Sequence, residues 1–181
     1  MPVRPILQLG HPLLLEPSQP VHDFASLAIQ ALVTDLADTL AAFRQAHGYG
    51  RGIAAVQIGT PLRVIYIRMQ PTGFCGPLLN PVITRASSEM MELWDDCFSF
   101  PELMVKVRRH LRITVNYVDD TGISQILEAE GALAELLQHE LDHLDGVLAI
   151  HRAISPSSFA TREEWQRRYR NEMTPSLESV S

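Results

Sequence analysis

The chain has 181 residues, 46% of them hydrophobic and 20% charged, which is the composition and length of one globular domain. Fifteen basic and twenty-one acidic side chains leave a net charge of −6, arguing against DNA or any other nucleic acid as the principal ligand. No stretch approaches the ~20 apolar residues of a membrane span. The opening MPVRPILQLGHP lacks a signal-peptide layout, and Cys75 and Cys97 are too few for a disulfide framework, so a reduced, cytoplasmic setting is expected.

Pro12, Pro17 and Pro20 break the first segment into extended chain and turns. Asp23 is expected to cap a helix over residues 24 to about 45, with Leu27, Ala31, Leu36, Leu40 and Phe43 near helical spacing and Gly48 as its stop. Residues 62–67, LRVIYI, read as a buried strand, and residues 82–84 and 89–94 as weaker ones. In residues 111–117, Leu111, Ile113, Val115 and Tyr117 alternate with polar neighbours. The turn at Asp119 to Gly122 joins that strand to a partner over residues 123–127, predicting a β-hairpin. Residues 132–144 return to helical spacing, with Gly146 placed to end the helix. Thr161 and Glu164 form a capping-box pattern opening a last helix that runs to about residue 172. The remaining residues, 174–181, read as a disordered tail, leaving one domain over residues 1–173. Strands between helices and joined by hairpins predict an α+β fold.

The strongest chemical signal is His139-Glu140-Leu141-Asp142-His143. Four residues apart on a helix, both imidazoles can meet one metal ion, and Glu140 beside them can take a proton from a water on that ion. Leu136, Leu137, Leu141 and Leu144 make the helix largely buried, where unsatisfied histidines would be costly. A catalytic metal needs a third protein ligand. One metalloprotease clan supplies a His shortly after a Gly; Gly146 is present, but Ala149 stands where that His is required. Glu163 on the last helix is a second candidate. Cys97, between Asp95-Asp96 and Ser99, is a third, since thiolate binds Zn or Fe well. Cys75 has no comparable neighbourhood. A further segment, Gly50 to Gln57, combines small residues that admit close backbone approach with a terminal amide, and it lacks the Lys and Ser/Thr of a phosphate loop.

Gly50 to Gln57, Cys97 to Ser99, and Gln138 to His143, in this order, resemble the three segments of peptide deformylases, and the resemblance extends over roughly residues 3–155. It implies antiparallel sheets packed around a central HExxH helix, with an N-terminal and a C-terminal helix. It also implies a hydrolase that removes the formyl group from the N-terminal formyl-methionine of new polypeptides. Cys97, His139 and His143 would hold one divalent metal ion, Fe²⁺ in the cell, with Zn²⁺ or Ni²⁺ accepted. Glu140 would be the base, and the Gln57 amide and the Phe98 N–H would stabilise the oxyanion. Gly50, Arg51, Gly52, Asp95 and Asp96 would lie against the substrate. Asp142 is expected to back a histidine, and the C-terminal helix resembles a ribosome-docking element.

Several positions depart from the family pattern: Asp95-Asp96 stands where Glu-Gly is usual, Phe98 replaces a Leu, and Leu15 an Arg. Arg51 stands where a small or aliphatic residue is common. A carboxylate at Asp96 is expected to repel acidic peptide side chains if it points into the cleft, or to pair with an arginine such as Arg109 if it points outward. Two alternative activities follow from the residues: an amidase acting on another formylated or acylated small molecule, and a peptidase using Glu163 as third ligand.

Overall fold

The computed structural model describes residues 3–69 and 73–170. The first helix, α1 (Leu27–His47), starts later than Asp23 would place it. Ser26 is its cap, with Oγ accepting from the Ile29 N–H, while the Asp23 carbonyl accepts from Ser26. Gly48, in the left-handed region, ends it as expected. The Gly50–Gln57 segment becomes a short strand, β1 (Gly52–Ala54), followed by a 3₁₀ turn (Ala55–Ile58).

Strands β2 (Val64–Arg68) and β3 (Cys75–Ala86) follow; β3 is much longer than the three residues its sequence suggests, because two bulges let it continue along its neighbour. The predicted hairpin is β6 (Arg112–Val118) with β7 (Ser124–Glu130), closed by Asp119, whose carboxylate accepts from Thr121, Ile123 and Gln125. These strands form a five-stranded antiparallel sheet in the order β1-β2-β3-β6-β7.

A second sheet holds β4 (Met90–Asp96), β5 (Leu103–His110) and β8 (Phe159–Thr161). Neither β5 nor β8 is evident in the sequence. In β5, LMVKVRRH, the charges mask an alternation that buries Val105, Val107 and Arg109. β8 is three residues long and depends on pairing with β5.

Helix α2 (Ala132–Leu144) is buried from Ala134 to Leu144. Its Leu136, Leu137, Leu141 and Leu144 join Ile65, Ile67, Leu78, Ile113 and Val115 of the larger sheet in one core. Gln138 ties it to the smaller sheet, accepting from the His110 N–H and donating to the His110 carbonyl, both at 2.9 Å. Helix α3 (Arg162–Arg168) opens at Thr161, whose Oγ accepts from the Glu164 N–H. It ends at Arg168, where the Tyr169 N–H donates to the Trp165 carbonyl at 2.8 Å, short of the expected residue 172, and the expected tail lies outside the described residues. The N-terminal segment straps the chain together: Leu7 N–H donates to the Gln57 carbonyl and Leu9 N–H to the Ser99 carbonyl, both at 2.8 Å.

Candidate metal centre and active site

Three segments distant in sequence meet where α2 passes the end of β4. Strand β4 stops at Asp96, and the next residues turn back, Phe100 N–H donating to the Cys97 carbonyl at 3.1 Å. The turn places Cys97 Sγ 3.2 Å from His143 Nε2. One donor atom each from Cys97, His139 and His143 lies within 4.8 Å of the others, and all three residues are buried. No second such group occurs among the described residues. A thiol and two imidazoles suit Zn or Fe, and three protein donors leave a coordination position open for chemistry, so these residues fit a catalytic metal. Glu163 is elsewhere. Its side chain is 83% exposed on α3 and pairs with Arg167, which removes it as third ligand.

The surroundings act oppositely on the two histidines. His139 Nδ1 lies 2.9 Å from Asp95 Oδ1, which leaves Nε2 for the centre. Burial pushes His139 down, but the Asp95 carboxylate outweighs it and holds the imidazole well above its usual value, so this ring gives up a proton when it ligates an ion. Burial pushes His143 well below it, so this ring is neutral, the form that binds metal. The partner of His139 is therefore Asp95, not Asp142. Asp142 instead binds Arg109 at 2.9 Å and Arg152 at 2.8 Å. Arg109, only 3% exposed, bridges both carboxylates, reaching Asp95 at 2.8 Å. Burial opposes ionisation of Asp95, yet His139 and Arg109 hold its carboxyl far below the ordinary range. Sequence reasoning missed Arg109 as part of the site; the alternation in β5 that buries it was the available signal.

Glu140 is 2% exposed, and its Oε2 has no hydrogen-bond partner among the described residues. Burial, partly offset by His139, pushes its carboxyl up to about 7. Gly52 makes room for it: a Cβ there would stand 2.5 Å from Glu140 Oε1. Gln57 is fixed from both ends. Its Oε1 accepts from the Ala54 N–H at 2.9 Å, and its Nε2 donates to Ser99 Oγ at 3.2 Å and faces Cys97 Sγ at 3.6 Å. The Phe98 ring stacks on Phe43 at 3.8 Å and fills the space beside Gly50, whose φ of +118° and missing Cβ allow that contact.

These groups open on a cleft of about 810 Å³, lined among others by Gly50, Arg51, Gly52, Asp96 and Glu140. A space of this size accommodates a short peptide segment. Asp95, expected against substrate, borders the cleft but commits its carboxylate to His139 and Arg109. Asp96 pairs with Arg162 at 2.8 Å rather than with Arg109. Arg51 pairs with Glu135 at 2.6 Å, and Cys75 is exposed, far along the chain from this chemistry.

A family model for polypeptide deformylases matches residues 3–158. The chain belongs to the polypeptide deformylase family. Its curated relatives include the peptide deformylase of Rhizobium meliloti, 38% identical over 157 residues and covering 83% of this chain and 84% of that one. Peptide deformylase 1 of Nitrosomonas europaea is 36% identical over 154 residues, 81% of this chain and 85% of the relative. Among solved structures, the Thermus thermophilus deformylase matches with a TM-score of 0.77 and 35% identity over 94% of this chain and 95% of that one. The Ehrlichia chaffeensis deformylase in complex with actinonin matches with a TM-score of 0.79 and 31% identity over 86% and 91%. The fold is thus the deformylase α+β arrangement of antiparallel sheets and three helices. The chain is a metal-binding hydrolase that removes the N-formyl group from newly made polypeptides.

Proposed function

We infer that α2 is the central HExxH helix of this enzyme, that Cys97, His139 and His143 hold one divalent ion, and that Glu140 moves the protons of formamide hydrolysis. Bound there, the ion supplies Lewis acidity to the formyl oxygen and to water. Fe²⁺ is the proposed ion in the cell, and the same thiolate and imidazoles accept Zn²⁺ or Ni²⁺. Glu140 accepts a proton from the attacking water and passes one to the departing amine of methionine. A buried carboxyl raised to about 7 suits both acceptance and return near neutral pH. Negative charge develops on the formyl oxygen as its carbon becomes tetrahedral. The Gln57 amide, held by Ala54, and the Phe98 N–H are the donors assigned to that oxygen. Each such donor is worth about 3–4 kcal/mol where it acts. Asp95, anchored by Arg109, keeps the His139 ring in one tautomer and orientation.

Gly50, Arg51, Gly52 and Asp96, which line the cleft, are the residues assigned to lie along the peptide. The substrate is a formyl-methionyl peptide emerging from synthesis, which places the work in the cytoplasm. Docking on the ribosome through α3 finds no support in its described part, because Arg167 and Arg168 pair with Glu163 and Glu164 of their own helix. The observation that carries this reading is the convergence of the three buried donors beside Glu140. Protein purified anaerobically should release formate from formyl-Met-Ala-Ser and contain one equivalent of metal in the same sample. Turnover undiminished after complete metal removal would refute it.

A further inference from the structure

The cleft is bordered by several charges, and their pairing decides what it attracts. Asp96 alone would make its wall anionic, but Arg162 cancels that charge. The Arg162 guanidinium binds Asp96 at 2.8 Å, donates to the Pro101 carbonyl at 2.6 Å and lies 4.0 Å above the Tyr49 ring. Glu135 is cancelled in the same way by Arg51, and Asp95 by Arg109. Two further guanidiniums border the cleft without such cancellation: Arg170, exposed just past α3, and Arg44. Arg44, in the last turn of α1, donates to the Gly50 carbonyl at 2.7 Å, and no carboxylate among the described residues pairs with it.

Its position relative to the reacting centre follows from Gly50. A Cβ at Gly50 would stand 2.5 Å from the Phe98 ring and 3.5 Å from Arg44 Cγ, so the stem of Arg44 runs beside Phe98, the neighbour of Cys97. A peptide advances at most ~3.3–3.6 Å per residue, so the residues that follow the formyl-methionine are the ones to pass a side chain next to Phe98. In a chain of net charge −6, a guanidinium held by a backbone carbonyl at the edge of a cleft is a local reversal of sign.

We propose that Arg44 is a specificity residue that favours formyl-methionyl peptides carrying a carboxylate side chain shortly after the methionine. This rests on the deformylase reading above and reverses the preference expected from Asp96 in the sequence. A partly exposed ion pair changes affinity by about two- to fivefold and weakens with salt.

The test compares kcat/KM for formyl-Met-Ala-Glu amide and formyl-Met-Ala-Lys amide, with formyl-Met-Ala-Ser amide as the neutral reference. For the wild-type chain the Glu peptide should exceed the Lys peptide by about fivefold at low salt, and the ratio should approach one near 0.5 M salt. Arg44→Met should bring the low-salt ratio close to one, Arg44→Glu should invert it, and Arg44→Lys should retain part of it. A wild-type ratio at or below one at low salt, or a ratio unchanged in a metal-loaded Arg44→Met protein, would overturn the proposal. Arg170→Met, at the other uncancelled guanidinium of the cleft, should leave the ratio in place, and a ratio brought to one by that change would overturn the proposal even if the Arg44 variants fail to fold. Turnover of the neutral peptide without charge preference removes only this proposal, whereas no turnover of any peptide removes the deformylase reading with it.

Discussion

Substituting alanine for Gly52 would set a methyl group 2.5 Å from Glu140 Oε1 and 3.0 Å from both its Cδ and Cγ, where ordinary contact begins at 3.4 Å. β1 is poorly able to yield, because Gly52 is paired with Ile67 and the adjoining Ile53 and Ala54 are fully buried. The carboxylate must therefore retreat, by roughly 1 Å, and a misplacement of that size costs ~10²-fold in rate. That is about 2.7 kcal/mol of transition-state stabilisation. The overpacking itself should cost about 1–3 kcal/mol of stability. Cys97, His139 and His143 are not touched, so metal content should stay at one equivalent. Formate release from formyl-Met-Ala-Ser, measured anaerobically beside metal analysis and a thermal melt, separates these effects. A folded, fully metallated Gly52→Ala protein with wild-type kcat would show that Glu140 does not act from this position.

Cys97→Ala should lose both stoichiometric metal and turnover, because two imidazoles alone hold the ion weakly; a full equivalent retained in the purified variant would remove Cys97 from the ligand set. Glu140→Ala should keep its metal and lose ~10²–10⁴-fold in kcat, as removal of a general base does; metal loss equal to that of a His139 variant would make Glu140 structural instead. Arg109→Met leaves Asp95 and Asp142 without their buried bridge and should cost about 3–5 kcal/mol in urea unfolding; a loss below 1 kcal/mol would show that the carboxylates re-pair or take up protons cheaply. Asp119 is held at about 2, first by its bond from the Thr121 hydroxyl and then by the Ile123 N–H. Its folded value lies below the unfolded one of ~3.9, so its contribution is complete above pH ~4 and is lost as pH falls toward 2. The stability difference between wild type and Asp119→Asn should therefore shrink between pH 5 and pH 3, and a difference constant over that range would contradict the turn assignment.

The parts of this protein that depend on neighbours along the chain were legible in the sequence. His139, Glu140 and His143 share a helix by spacing alone, Gly48 and Thr161 mark helix ends, and Asp119 to Gly122 sits between two alternating runs. Each of these is set within a few residues by backbone geometry and local hydrogen bonding. Cys97 was one of two candidates for the third ligand on chemistry alone; only folding puts its sulfur 3.2 Å from His143 and leaves Glu163 in solvent. The charge network was not legible either. Sequence chemistry requires that Asp95, Asp142 and Asp96 find partners once removed from water, but it does not say which. The smaller sheet supplies Arg109 to the first two, and the start of α3 supplies Arg162 to the third. Those pairings reassign the support of His139 from Asp142 to Asp95 and cancel the negative charge expected at the cleft wall. They were decided by strand register and helix placement, because a buried charge takes whichever opposite charge the packing brings within hydrogen-bond distance.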